Sequence, residues 1–366
     1  MMPALRFFAS PAVSWYLART FVSRSLAVVA ALTVILMTLD LLGESGDILG
    51  HAGNGQAQLW YYTSLRGPQI IAFCLPFSVL LGTLITLVRM NQNSEIISMK
   101  AAGISAHQIL APLVAASLAI AGVSFWFEDH VVARATAALT AWQNADYGPI
   151  PDARGVVSNV WVRVGEDLIH ASTVSGRGTR TVLHDVTYYD RTGDKLTGVI
   201  TAPSAVPGDG AWQLKQARRF DVASGSVRVV PTIAVARNVT ADRFTLADVD
   251  GDSLSFRALA RAIHELHAAG RPTSPLETVL WHKIVGPLST MLMPLLAGVA
   301  GFGLARAGKL FVRVVIGMML GFAYFVADNF ALAMGNLGAY PPLLAAWAPF
   351  LLFLLIGEAV LIRTEE

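Results

Sequence analysis

Between two long apolar runs the chain reads Arg89-Met-Asn-Gln-Asn-Ser-Glu-Ile-Ile-Ser-Met-Lys-Ala-Ala-Gly-Ile-Ser105. Each flanking run is long enough to cross a membrane, so this polar passage joins two spans, and the rest of the chain is placed from it. Asn93 or Ser94 can cap a short helix here, and Gly103 can end it. A helix of about nine residues falls short of the ~12–15 that persist alone in water, so other protein must hold it. Ile96, Met99 and Gly103 fall on one face at i, i+3, i+7 spacing, and Glu95 projects from another. Two readings are open: a loop lying against its own bundle, and a helix presented to a cytoplasmic partner.

Composition favours a membrane protein. Of 366 residues, 54% are hydrophobic and only 14% charged, well below the share in soluble domains. The net charge of +2 is too small to argue for nucleic acid. Cys74 is the single cysteine, which excludes an intrachain disulfide and a cysteine-based metal site. The histidines show no HExxH or similar ligand spacing. Met1 to Arg24 has arginines but no apolar core before the first long run, so no cleavable signal is expected.

Residues 4–24 mix aromatic and basic side chains and read as a helix lying at the inner interface. Six spans follow: Ser25–Leu42, Leu65–Val88, Gln108–Phe127, Glu277–Leu304, Val312–Met334 and Leu343–Ile362. About 20 residues cover a bilayer core of roughly 30 Å, and each run is near that length. Pro68 and Pro76 are expected kinks in the second span. If the amino terminus is cytoplasmic, Arg6, Arg19, Arg24, Arg89, Lys100, Arg306, Lys309, Arg313 and Arg363 all lie inside. The short outer loops, Gly43–Ser64 and Gly335–Pro342, hold no lysine or arginine. That bias puts both termini and the 89–105 passage in the cytoplasm and the long insert outside.

The insert opens with a helical stretch, His130–Ala145, that continues the third span until Tyr147-Gly-Pro-Ile-Pro breaks it. Alternating runs then appear at 156–164, 167–174, 182–190, 195–206, 211–222 and 226–235, separated by Gly-, Asp- and Ser-rich turns. This pattern predicts a sandwich or jelly roll. Asp252-Ser-Leu-Ser is expected to cap a helix, Phe256–Ala269, that Gly270 ends. The fold expected is an α-helical membrane protein with six transmembrane helices and an all-β, jelly-roll-like domain inserted between spans 3 and 4. The segments are 1–128, 129–275 and 276–366.

Catalytic constellations are missing. Gly303-Leu-Ala-Arg-Ala-Gly308-Lys309 approaches a phosphate-binding loop, but Leu310 stands where a magnesium-binding Ser or Thr is needed, and no strand precedes it. No GxSxG is present. The chain is expected to be no enzyme and to bind no cofactor or metal; ATP and magnesium, if used, belong to another chain. Ionisable residues inside spans are costly and invite a functional reading. Asp40, Arg66, Lys283 and Asp328 reach comparable depth on the outer side, either pairing to fix the bundle or forming a collar for an amphiphile's head group. Gly317 and Gly321 allow close helix approach, within the bundle or against another subunit.

Taken together, these residues resemble the LptF/LptG family of lipopolysaccharide export permeases. Three spans, a β-rich insert and three more spans match its layout. Arg89–Ser105 is similar to its coupling segment, and Trp281-His-Lys283-Ile-Val-Gly-Pro287-Leu288 to the start of its fourth span. Val160-Trp161-Val-Arg163 and Ala211-Trp212-Gln-Leu214 resemble recurrent strands of the insert. Arg306-Ala-Gly308 and Tyr340-Pro-Pro-Leu-Leu-Ala-Ala-Trp347-Ala-Pro349 resemble the LptG branch more than the LptF branch.

The resemblance implies a multi-pass protein of the bacterial inner membrane with a periplasmic β domain. It implies a heterodimer with LptF on a dimer of the ATPase LptB. Lipopolysaccharide would enter between the permeases from the outer leaflet and leave through the β domains toward LptC and a periplasmic bridge. Glu95, Ile96, Met99 and Gly103 would carry the ATPase coupling, and Asp40, Arg66, Lys283, Gly317, Gly321 and Asp328 are candidates for lipid contact or gating. Where some relatives carry lysines at the outer end of the first span, this chain has Asp40, Gly43 and Glu44, so phosphate-binding residues do not carry over there. A second function class remains open: a mechanotransmitting ABC membrane subunit that drives a periplasmic partner without passing lipid.

Overall fold

The computed structural model describes residues 10–149, 157–176, 181–192, 195–208, 210–237, 239, 244, 250–268, 271–301 and 310–365. The chain starts with α1 (Pro11–Gly50) and α2 (Gln56–Gln92), then the short α3 (Glu95–Ala101). Helix α4 (Ala106–Phe127) passes through a π-helical turn at Glu128–Val132 into α5 (Ala133–Gln143). After the β region come α6 (Phe256–Ala268), α7 (Ser274–Gly301), α8 (Leu310–Asn336) and α9 (Pro342–Glu365). Six of the helical stretches are long and apolar enough to cross a membrane.

The separate interfacial helix expected over 4–24 is not seen as such. Residues 11–24 are the first turns of α1, a single helix of 40 residues, and residues 1–9 lie outside the described residues. Pro11 sits at the first helical position, where its missing N–H costs nothing, and Ser10 Oγ accepts the Val13 N–H at 3.2 Å. Nothing breaks the helix between there and Gly50. Pro68 and Pro76 lie inside α2 without ending it. The continuation of the third span into the insert is observed, and the turn at 144–147 ends it, with Tyr147 at φ 55. The Gly303–Lys309 passage, Arg306 and Gly270 fall outside the described residues.

The chain divides into two compact units, one of residues 1–45, 56–136 and 251–366, the other of residues 46–55 and 137–250. In the helical unit α7 is the hub, touching α2, α4, α8 and α9. Its core is a continuous apolar cluster including Leu84, Leu87, Ile109, Leu110, Leu292 and Leu296, all nearly or fully buried. Gly82 on α2 lies against α1; a Cβ there would stand 2.8 Å from the Ser25 backbone. Beyond such contacts α1 is bare, for none of its most apolar window is buried within the chain.

The β unit is one antiparallel sheet of six strands: β1 (Val157–Val164), β2 (Asp167–Ser175), β3 (Val182–Thr192), β4 (Lys195–Pro207), β5 (Trp212–Asp221) and β6 (Val227–Val235). The strands fall where alternation places them, but their order is β1 to β6 in sequence, an up-and-down meander. The expected β domain is present, and among the described strands each pairs with its chain neighbours and none crosses over. Tight turns explain this. Gly165 at φ 65 supplies the positive φ that reverses the chain between β1 and β2. Between β5 and β6, Asp221 Oδ1 accepts the Ser224 N–H at 2.8 Å and its hydroxyl at 2.9 Å. Those bonds favour the carboxylate and hold its pKa low.

One face of the sheet is dry, with Val160, Ile169, Leu183, Ile200 and Leu214 packed around Trp212, whose indole N–H donates to Val239 O at 2.9 Å. Asp167 at the start of β2 accepts the Tyr188 hydroxyl at 2.6 Å and the Arg191 N–H at 2.8 Å. Burial and that neighbouring carboxylate push the Tyr188 hydroxyl pKa well up. The residues 46–55 and 137–149 form their own small cluster: Asn54 Nδ2 donates to Ile48 O and Tyr147 O, both at 2.8 Å.

Candidate functional site

Two groupings of candidate residues stand out within the helical unit. The first is α3. Gly103 at φ 84 ends it, with Gly103 N–H donating to Lys100 O and Ile104 N–H to Met99 O, each at 3.0 Å. The amino-terminal end differs from expectation. Ser94 adopts a left-handed φ of 59 and its side chain caps nothing. The side-chain cap nearby is Ser105, which opens α4 in a reciprocal box with Gln108. The spacing Ser105-Ala-His-Gln108 carries that signal openly.

The orientation of α3 corrects the assignment of its apolar residues to a partner. Ile96 is only 4% exposed and joins the bundle core, and Met99 packs against the same cluster. A helix of seven residues is held by burying that stripe on its own chain. The outward face offers Ile97, 52% exposed, together with Ser98, Lys100, Ala101 and Ala102. Glu95 lies at the edge between the two faces. Its Oε2 accepts the Tyr16 hydroxyl at 3.2 Å, and its Oε1 accepts Asn93 Nδ2 at 3.3 Å. Tyr16 stands 79 positions away, and no local pattern announces such a contact.

The second grouping is on α1, α2, α7 and α8. Of the four charges expected at that depth, Asp40 and Arg66 do pair, with Arg66 Nη2 at 2.9 Å from Asp40 Oδ1. Tyr62 donates its hydroxyl to Asp40 Oδ2 at 2.6 Å. Arg66 also reaches Gln69 Oε1 at 2.7 Å. Asp328 does not pair with Lys283; its Oδ2 meets His282 Nε2 at 3.1 Å. Helix phase decides this. Thr278, Val285, Leu292 and Leu296 are fully buried on α7, and His282 lies on that stripe at i+4 and i−3 spacing, whereas Lys283 is a further 100° around.

His282, Lys283, Asp328 and Gly321 nonetheless line one cavity of about 400 Å³. Its apolar lining includes Ala72, Phe73, Phe77 and Phe325, with the Phe325 ring edge-on to Phe77 at 5.0 Å and to Phe73 at 5.8 Å. Glu128 and Asp252 add carboxylates. Asp40 and Arg66 do not line it, but Gln69 does and is tied to Arg66. Gly321 works inside the bundle: a Cβ there would overlap Leu80 Cδ2 of α2. Gly317 is likewise buried. Sequence reasoning missed Glu128, Asp252 and His282, because their convergence needs three separated segments to pack.

A family described as "Lipopolysaccharide export system permease LptF/LptG" matches residues 15–363 of the chain. The chain is similar to the lipopolysaccharide export system permease protein LptG of Escherichia coli (strain K12), 27% identical over 349 residues that cover 90% of this chain and 95% of that protein. It is also similar to the protein of that name from Haemophilus influenzae, 24% identical over 357 residues covering 93% and 97% of the two.

Proposed function

The chain belongs to the LptF/LptG family of lipopolysaccharide export permeases, and from that premise we propose how it works. It is a permease subunit that draws lipopolysaccharide from the outer leaflet of the inner membrane and passes it to a periplasmic bridge. The observation that carries this is the extent of the match, which runs through both groups of spans and the β insert. The transmitter reading finds no support, since the relatives are export permeases by name.

The finer parts rest on further observations. The apolar window of α1 is left uncovered by this chain, so lipid or a second permease can lie against it, and we place LptF along α1 and α8. Ile316, Met319, Phe322, Val326 and Phe330 on α8 are exposed and follow helical spacing on one side. A dimer of LptB would hydrolyse ATP with magnesium, and LptC would receive the lipid; this chain itself binds no cofactor. The lysine and arginine bias supports a topology with both termini and α3 in the cytoplasm and the β domain in the periplasm.

The outward face of α3, with Ile97 and the edge residue Glu95, would dock on the ATPase, while Ile96, Met99 and Gly103 set its position. Glu95→Lys replaces an acceptor by a cation at that edge, so ATP-driven lipid release from the reconstituted complex should fall or lose its coupling to hydrolysis. Glu95→Gln should be milder, because it keeps one acceptor for Tyr16. Lipid release and ATPase rate both equal to the unmodified complex in Glu95→Lys would remove α3 from the coupling path. A photo-crosslinker placed along α1 and α8 should capture lipid during turnover, as a packed transmitter would not.

A further inference from the structure

Where α1 crosses α2, two cations meet that the transport reading does not use. The helices touch where Gly82 lies against the Ser25 backbone. Arg24 stands immediately before the apolar run Ser25–Leu42, and Arg89 immediately after Leu65–Val88, so the crossing brings both to one bilayer boundary. Arg24 Nη1 donates to Ile85 O at 3.2 Å in a contact open to solvent, one turn before Arg89, and the two guanidiniums act on each other as like charges. That bond uses one of the five N–H donors of Arg24, and no other is made among the described residues. The Arg89 side chain is exposed and has no hydrogen bond or ion pair among the described residues. Glu95 offsets Arg24 in part, but its two oxygens accept from Tyr16 and Asn93 rather than from either arginine. Two guanidiniums against one carboxyl group leave a net positive charge whichever way Glu95 titrates. Apolar surface adjoins the pair, for Ile85 is 46% exposed. Trp15 and Tyr16, both exposed two to three turns before Arg24, are the residue types that sit at head-group level.

We propose that Arg24 and Arg89 together hold the phosphate of an anionic phospholipid, with an acyl chain laid against Ile85. A phosphate between them turns a repulsion into two charge-assisted contacts, and the planar guanidinium forks match its oxygens. A zwitterionic lipid brings a further cation to a site that already has an excess, so phosphatidylglycerol is favoured over phosphatidylcholine. An acidic protein segment would meet the charge but not the setting. The apolar window of α1 that begins beside Arg24 is left uncovered by this chain, and acyl chains cover such a surface. The bound phosphate lies next to Tyr16 and Glu95, so lipid at this site and the edge of α3 share one electrostatic neighbourhood. The site needs only this chain and holds whatever the cargo of transport.

The test uses the delipidated permease complex and native mass spectrometry, with phosphatidylglycerol and phosphatidylcholine of identical acyl chains as probes. The unmodified complex should hold the first phosphatidylglycerol about tenfold more tightly than the first phosphatidylcholine, the scale of one charge-assisted contact. Arg89→Gln should remove most of that preference, and Arg24→Gln a similar share. Arg19→Gln removes the same charge from an exposed position about 140° around α1 from Arg24, and should leave the preference intact. Millimolar inorganic phosphate should not displace the lipid, because it lacks the acyl chain. Displacement at that concentration would make the pair an ion site and overturn the lipid. No preference in the unmodified complex overturns the site and gives the pair to another occupant, such as an acidic segment of a partner protein. A loss in Arg19→Gln as large as in Arg89→Gln also overturns it, since general surface charge would then explain the binding.

Discussion

Two carboxylates of the helical unit, Glu95 and Asp328, each find one long-range partner, yet the contacts differ in kind. Glu95 meets Tyr16 in a contact open to water at 3.2 Å. Asp328 meets His282 in the interior at 3.1 Å, with its other oxygen unpartnered. An exposed hydrogen bond exchanges readily with water and contributes little, whereas a buried charge without its partner has nowhere to go. The first contact can therefore break when a partner arrives. The second cannot break without loosening the bundle, so it holds geometry around a cavity.

The sharpest way to break this comparison is His282→Ala. It leaves Asp328 buried and uncompensated, so thermal unfolding of the detergent-solubilised complex should show a loss of about 3 kcal/mol or more. Lys283→Ala on the next residue should cost far less, for no hydrogen bond or ion pair to Lys283 is found among the described residues. A larger loss for Lys283→Ala than for His282→Ala would mean that Lys283, not His282, holds Asp328.

Gly321→Leu comes next. The added side chain meets Leu80 in a packed interface, and overpacking of that sort typically costs about 1–3 kcal/mol. It should lower the melting temperature of this chain even when no other permease is present. A drop seen only in the assembled complex would place Gly321 at a subunit contact instead. Arg66→Ala should have a smaller effect, about 1 kcal/mol by the same assay, because the pair it makes is partly exposed and Tyr62 still donates to Asp40. At the low end, Tyr16→Phe removes only the exposed bond to Glu95. Its stability cost should stay below about 0.5–1 kcal/mol, and a loss several-fold larger would make α3 a structural strut, contradicting the contrast drawn above.

Local pattern carried much of this fold. Hydropathy runs placed all six spans, and alternation with Gly and Asp turns placed the six strands almost to the residue, because both depend on neighbours within a few positions. Gly103 as the stop of α3 was legible for the same reason. What was not legible is phase and partnership. The i, i+3, i+7 face of α3 was visible, but an apolar stripe on a short helix looks alike whether it seeks its own bundle or another protein. Ile96 and Met99 turned inward because the core formed by α2, α4 and α7 stands next to them.

The sequence by itself therefore determined the six spans and six strands, the insertion of a β domain between two groups of spans, and the family, while the first helix proved longer than its apolar run. The tertiary structure alone decided which charges met. His282 rather than Lys283 reached Asp328 because one residue on a helix is a 100° turn, and only packing sets where zero lies. It decided that the strands run as a meander, since alternation marks a strand but not its neighbour. It brought Glu128, Asp252 and Asp328 around one cavity from three distant segments, a convergence that no local spacing encodes.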